Sequence, residues 1–475
     1  MTASALTRSA LPATTDTADD EAAHDPARMH RHDAELTALV LDYVTHRLAM
    51  AETPLDHPGD ADELAARLAG LLGSEGHAPA DVLGLYADHL AQAVISADSP
   101  RFLAFIPAAP TKAALLFDMV VSCASLQGIS WLEAAGAIAA ENQTLRLLAD
   151  LAGLPAGAGG AFVSGGSAGN LSALVVARDT ARHRLGDRRA RLRVAVSDQA
   201  HSSVRNTLSI LDMEALDVPT HGHRLTGEAL AAALAEDGDP ASVCAVVATA
   251  GTTNAGIVDD LAGVAAVAEA NGLWFHVDAA YGGAGLLAPS VREHYVGIER
   301  ADSIVMDPHK WFFAPFDCAA LLYRRPQLAK AVHTQDASYL DCIHTDEAEW
   351  NPTDYAYHLT RRARGLPLWF SLAVNGTDAY TEAVEHALAL ARLAADEIRA
   401  AEHLTLLREP TLSVVLFERE GWSAADYDAW SQRLLAEQTA FITPTTWEGR
   451  TVGRLAFLHP GTTPQMVHEV LETLA

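Results

Sequence analysis

The stretch from Trp274 to Trp311 limits what this chain can fold into more than any other. It opens with Trp-Phe-His-Val-Asp-Ala-Ala-Tyr-Gly-Gly and closes with Asp-Ser-Ile-Val-Met-Asp-Pro-His-Lys-Trp. Each half is a short apolar run with β-branched residues that breaks into a polar turn, the pattern of a buried strand. In a parallel α/β sheet such strand ends lie side by side along the edge where ligands bind. One end then presents a carboxylate, Asp278, and the other an amine, Lys310.

A lysine at such an edge can form a Schiff base, and a carboxylate can keep a pyridinium nitrogen protonated. Pyridoxal 5′-phosphate (PLP) chemistry requires that pairing. Lysine is scarce here: only Lys112, Lys310 and Lys330 occur, against 30 arginines. A chain that writes nearly every surface cation as arginine has little reason to spend a lysine on solvent after a strand.

The same unit recurs upstream. Ala161–Val163 runs into Ser-Gly-Gly-Ser-Ala-Gly-Asn (164–170) and then a helix expected over 171–184. A Gly/Ser-rich turn feeding a helix N-terminus binds anions, because free N–H groups and the helix dipole point at it. It is neither a Walker A loop nor a full dinucleotide fingerprint. Arg193–Ser197 ends in Asp-Gln-Ala-His-Ser-Ser, which sets His201 just past a strand. A lone turn histidine is usually structural; the functional alternative is an imidazole lying on a cofactor ring. Val243–Ala248 ends in Thr-Ala-Gly-Thr-Thr-Asn, and a helix over 261–271 returns to Trp274. Recurrent strand, loop and helix indicate a parallel sheet with right-handed crossovers.

The 475 residues suffice for two or three domains. The net charge of −28 argues against nucleic-acid and anionic-membrane partners. No apolar run reaches membrane-spanning length. The cysteines (123, 244, 318, 342) lack metal-ligand spacing, so no metal is expected and a reducing cytoplasm is. Residues 1–27 are expected to be a disordered tail without a secretory signal. The expected divisions are an N-terminal helical arm (28–100), a large cofactor-binding domain (101–355) and a small C-terminal domain (356–475).

Taken in order, Ser-Gly-Gly-Ser-Ala-Gly-Asn-Leu, Asp-Gln-Ala-His-Ser-Ser, Gly-Thr-Thr, His-Val-Asp-Ala-Ala-Tyr-Gly-Gly and Asp-Pro-His-Lys-Trp resemble the group II PLP-dependent amino-acid decarboxylases, the family of aromatic-L-amino-acid and glutamate decarboxylases. The resemblance runs from about Arg101 to the C-terminus. It implies an α/β, fold type I (aspartate-aminotransferase-like) enzyme, with a mixed, mostly parallel sheet. It also implies a homodimer with composite sites, and decarboxylation of an L-amino acid, a small-molecule substrate, to its amine.

By the same resemblance, Lys310 matches the internal-aldimine lysine and Asp278 the carboxylate on the pyridine nitrogen. His201 matches the ring-stacking histidine and Ala280 the small residue under the opposite face. Gly166 and Ser167 match the phosphate loop, Thr253, with Thr252, the following threonine, and His309 the histidine before the lysine. Tyr339, in Ala-Ser-Tyr-Leu, matches a mobile-loop tyrosine that reaches an active site, usually the partner subunit's, and would protonate Cα directly or by relaying His201. Phenylalanine there goes with aldehyde synthases in this family, so Tyr339 favours the decarboxylase over that rival. An aminotransferase would need an arginine for the substrate carboxylate, and none stands out. Three places depart from the family: 131–137 reads Trp-Leu-Glu-Ala-Ala-Gly-Ala, 105–108 reads Phe-Ile-Pro-Ala without two hydroxyls, and Asp307 replaces a common asparagine.

Overall fold

The structure is a computed structural model and describes residues 27–107, 109–343 and 349–475, apart from the side chains at 339, 341 and 342. The expected tail, except Ala27, and the residue Ala108 lie outside the described residues. The chain divides into two compact units. The smaller contains α1 (Ala34–Ala49), α2 (Ala61–Leu68) and α3 (Pro79–Leu85). Asp33 caps α1, its carboxylate accepting from the Leu36 N–H at 2.9 Å.

The larger unit is built on a seven-stranded sheet. Its strands are β1 (Gly159–Val163), β2 (Arg193–Ser197), β3 (Glu214–Val218), β4 (Val243–Thr249), β5 (Trp274–Asp278), β6 (Ser303–Met306) and β7 (Ala319–Tyr323). Their order is β1-β7-β6-β5-β4-β2-β3. The β3-β2-β4-β5-β6 pairs are parallel, and β7 runs antiparallel to both β1 and β6. The sheet is therefore mixed and mostly parallel, and β1 points the same way as β2 to β6.

Side chains alternate between the two faces of each strand. Val246 and Ala248 of β4, with Phe275 and Val277 of β5, enter one core cluster. Ala245, Val247 and Trp274 enter the other. The first face is covered by α5 (Trp131–Leu151), α8 (Gly227–Glu236), α9 (Leu261–Asn271) and the long α11 (Leu366–Ala400), which kinks at Gly376. The second is covered by α6 (Gly166–Leu185), α7 (Ser202–Ile210) and α10 (Pro326–His333). The helix α4 (Lys112–Cys123) packs along α11.

A second, four-stranded antiparallel sheet follows α11. It comprises β8 (Leu404–Leu406), β9 (Val414–Arg419), β10 (Thr445–Trp447) and β11 (Arg450–Ala456), in the order β10-β11-β9-β8. The helices α12 (Ala424–Ala436) and α13 (Pro464–Glu472) complete it.

Several elements differ from the reading of the sequence. The helix α6 starts at Gly166 rather than 171. Gly-Ser-Ala-Gly-Asn is a poor helix former, but small residues let this turn lie against the sheet: a Cβ on Gly169 would sit 2.4 Å from Val305 Cγ2. The strand β3 and the helices α7 and α8 gave no clear signal, since β3 is a half-exposed edge strand with two acids.

Candidate active site

Five loops leave the same edge of the sheet, at the ends of β1, β2, β4, β5 and β6. Between them lies a cavity of about 220 Å³, lined by Gly165, Gly166, Ser167, His201, Thr253, Asp278, Ala280, His309 and Lys310, among others. Residues spread over 146 positions are thus brought together (310 − 165 + 1). Thr252 is the exception. It is buried, and its hydroxyl accepts from the Ile257 N–H at 3.1 Å, so it braces its own loop. The backbone of Tyr339 lies in a short turn, Ser338–Ile343, and its side chain falls outside the described residues.

Asp278 ends β5 and is 5% exposed. Its Oδ1 accepts from the Ala280 N–H at 3.1 Å and its Oδ2 from Asn170 Nδ2 at 2.9 Å. Both contacts fix the orientation of the carboxylate. His201 caps α7: its Nδ1 accepts from the Ser203 N–H at 3.2 Å, and the Ser203 hydroxyl lies 2.8 Å from the same nitrogen. The ring proton of neutral His201 therefore sits on Nε2.

Lys310 Nζ lies 3.0 Å from Asp307 Oδ2. Asp307 is itself buried, and its Oδ1 has no hydrogen-bond partner among the described residues. The carboxylate faces the Gly-Gly turn closely: a Cβ on Gly166 would lie 3.1 Å from Oδ2 and 3.2 Å from Ala280 Cβ. His309 accepts from the Cys318 N–H through Nδ1 at 3.0 Å and packs on Phe316. Burial lowers its pKa, against the pull of nearby Asp307, so the ring is neutral. Below the site, the Tyr281 ring stacks on Trp311, and its hydroxyl takes the Ser413 N–H at 3.0 Å. That bond ties the cavity floor to the segment entering β9.

One residue escaped the reading of the sequence. Arg454 of β11 is 4% exposed and donates to carbonyls: Thr253 at 2.6 Å, Phe105 at 2.9 Å and Asn254 at 3.1 Å. No carboxylate pairs with it among the described residues, and burial lowers its pKa to about 10. A single arginine in an amphipathic strand gives no signal of this kind. Only the crossing of β11 over the β4 loop reveals it.

The cavity fits a flat cofactor with a phosphate and a basic ring nitrogen. At one end, α6 begins at Gly165 without a side-chain cap, so its first-turn N–H groups are available to an anion. At the other, the Asp278 carboxylate waits for a cation. Between them stand His201, Ala280 and the one lysine of the cavity.

Fold and site together define a PLP enzyme of the aspartate-aminotransferase-like class. The model of the pyridoxal-dependent decarboxylase conserved domain matches residues 73–420. The chain belongs to that family and is a PLP-dependent carboxy-lyase. It is 30% identical over 447 residues to an aromatic-L-amino-acid decarboxylase of Bacillus atrophaeus, covering 91% of this chain and 92% of the relative. It is 33% identical over 393 residues to the L-2,4-diaminobutyrate decarboxylase of Rhizobium meliloti, covering 79% and 77%. The structure of Oryza sativa TDC with PLP and tryptamine superposes with a TM-score of 0.83 at 25% identity, covering 97% of this chain and 98% of that one.

Proposed function

We propose that this protein converts an L-amino acid to its amine and CO₂, with PLP attached through Lys310 Nζ. The observation that carries the reading is the convergence of Asp278, Lys310 and the uncapped first turn of α6 on one cavity. When bound, the cofactor supplies the sink for the electron pair left at Cα as CO₂ departs.

The chain's residues have separate tasks. The first turn of α6, with Gly166, Ser167 and Thr253, holds the phosphate. Asp278 keeps a proton on the ring nitrogen. His201 covers one face of the ring with its Nε2–H free, and Ala280 leaves room on the other. Asp307, 3.0 Å from Lys310 Nζ, steadies the lysine. His309, neutral and fixed by Cys318, holds the turn that carries the lysine. Tyr339 delivers a proton to Cα, with His201 behind it, and closure of its loop keeps water and oxygen out. Arg454 braces the loop that carries Thr253 through its bonds to the carbonyls of Thr253 and Asn254.

Composite sites in a homodimer belong to the same reading. Support comes from an apolar groove along α5, lined by Ala134–Ala137, Phe117, Leu126 and Trp369, with Leu132 64% exposed beside it. A cytoplasmic location also belongs to it, on the wide spacing of the cysteines. Among the described residues no helix is long and apolar enough to cross a membrane.

The test combines labelling with product analysis. Borohydride reduction of the PLP-loaded protein should fix the cofactor on Lys310, and Lys310→Ala should lose the adduct. Recovery of the label on Lys112 or Lys330 would overturn the assignment. The same protein is then offered each natural amino acid and L-2,4-diaminobutyrate, with products read by mass spectrometry. Amine with little aldehyde or peroxide in air is the expected result. Aldehyde, ammonia and peroxide as main products would mark an aldehyde synthase.

A further inference from the structure

Behind Asp278 lies a buried chain of hydrogen bonds that the reaction itself does not touch. Alternation along β5 puts Trp274, His276 and Asp278 on one face, toward α6. The register of β5 with β6 sets Ser303 opposite His276. The Trp274 indole Nε1 is 2.8 Å from Ser303 Oγ, which is 2.8 Å from His276 Nδ1. His276 Nε2 is 2.8 Å from Asn170 Oδ1. Asn170 Nδ2 reaches Asp278 Oδ2 at 2.9 Å and Ser203 Oγ at 3.1 Å. Trp274, His276, Ser303, Asn170 and Asp278 are all buried.

The carboxylate end fixes one direction. Asp278 only accepts, so Asn170 turns Nδ2 toward it and Oδ1 toward His276 Nε2. Neutral His276 then takes the Ser303 hydrogen at Nδ1, and Ser303 accepts from the Trp274 indole. That makes Nδ1 an acceptor and puts the imidazole proton on Nε2. Nε2–H then donates to Asn170 Oδ1, and the amide must present Nδ2 to Asp278 and Ser203. Ser203, having accepted, donates to His201 Nδ1. The reversed amide would aim Oδ1 at a carboxylate, which is repulsive.

We propose that His276 is a positioning residue that sets the polarity of this relay. Through Asn170 it orients both the carboxylate for the cofactor's ring nitrogen and the histidine over its face. This rests on the roles proposed above for Asp278 and His201. Burial supports it independently, by holding His276 neutral with its pKa down at about 4. A charged imidazole would donate from both nitrogens and break the order.

The test uses holoenzyme loaded with PLP carrying the NMR-active nitrogen isotope in its ring. In wild type the ring nitrogen should appear protonated and His276 as the Nε2–H tautomer. In His276→Phe the ring-nitrogen resonance should move toward unprotonated pyridine. Its kcat should fall about tenfold, with KM changed by less than about threefold. His276→Gln, with an acceptor and a donor on neighbouring atoms, should restore most of both. Ser303→Ala removes the hydrogen given to Nδ1, and with it the bias of His276 toward the Nε2–H tautomer, and decides alone if His276→Phe does not fold. A fully protonated ring nitrogen in the variants, or an Nδ1–H tautomer in wild type, overturns the relay. An unprotonated ring nitrogen in wild type overturns instead the role of Asp278 on which the relay rests.

Discussion

At the residue scale the site depends on where a few protons are held. Asp278 accepts from an amide on each oxygen, so Asp278→Asn removes the charge while keeping much of the shape. Turnover should fall about a hundredfold or more, while cofactor affinity falls less than about tenfold. Steady-state kinetics and a PLP titration check this; near-wild-type turnover would remove Asp278 from its role. His276 makes a second prediction, through stability. Its folded pKa is depressed to about 4, below the ordinary histidine value of about 6.5. The unfolded chain therefore takes up the proton first as pH falls. His276 contributes stability above about pH 6.5, and that contribution drains away as pH falls toward 4. The loss is on the order of 2–3 kcal/mol. Denaturant melts between pH 7 and 4 should be steeper in pH for wild type than for His276→Gln; identical profiles would count against a neutral buried ring.

At the scale of elements, α6 does two jobs. Its first turn faces the cavity, and its glycines let it press onto β6. A Cβ on Gly169 would lie 2.4 Å from Val305 Cγ2, inside contact distance. Gly169→Ala should cost roughly 1–3 kcal/mol. It should also weaken cofactor binding, because the whole turn must lift. Thermal melting with and without PLP checks both, and an unchanged melt with unchanged affinity would show that the helix can give. The helix also shows why boundaries were only partly legible. Propensity argued for a loop over 166–170, and packing on the sheet overrode it.

At the scale of the whole molecule, the large domain is proposed as 101–355 and the small one as 356–475, with a tail over 1–27 and an arm over 28–100. The active form is proposed as a homodimer whose sites draw on both subunits. Mixing inactive Lys310→Ala protein with inactive Tyr339→Phe protein then gives heterodimers in which one site has both intact residues. Decarboxylation should recover to a fraction of wild type once subunits exchange. No recovery, with exchange shown by mass, would assign both residues to one subunit's site.

The sequence alone determined the strand-ended motifs. Asp278, Lys310, His201 and the Gly166–Ser167 turn were legible because each sits where an apolar run breaks into polar residues, a local and period-two signal. The family was legible too, from the order of those motifs. Tertiary structure decided which of them share a cavity, and that Thr252 does not line it. It also decided that β7 runs antiparallel, which no local pattern states. Arg454, Asn170 and the direction of the relay behind Asp278 belong to structure alone. Their roles depend on partners 29 to 349 residues away, and such contacts exist only once β5, β6, α6 and β11 are packed.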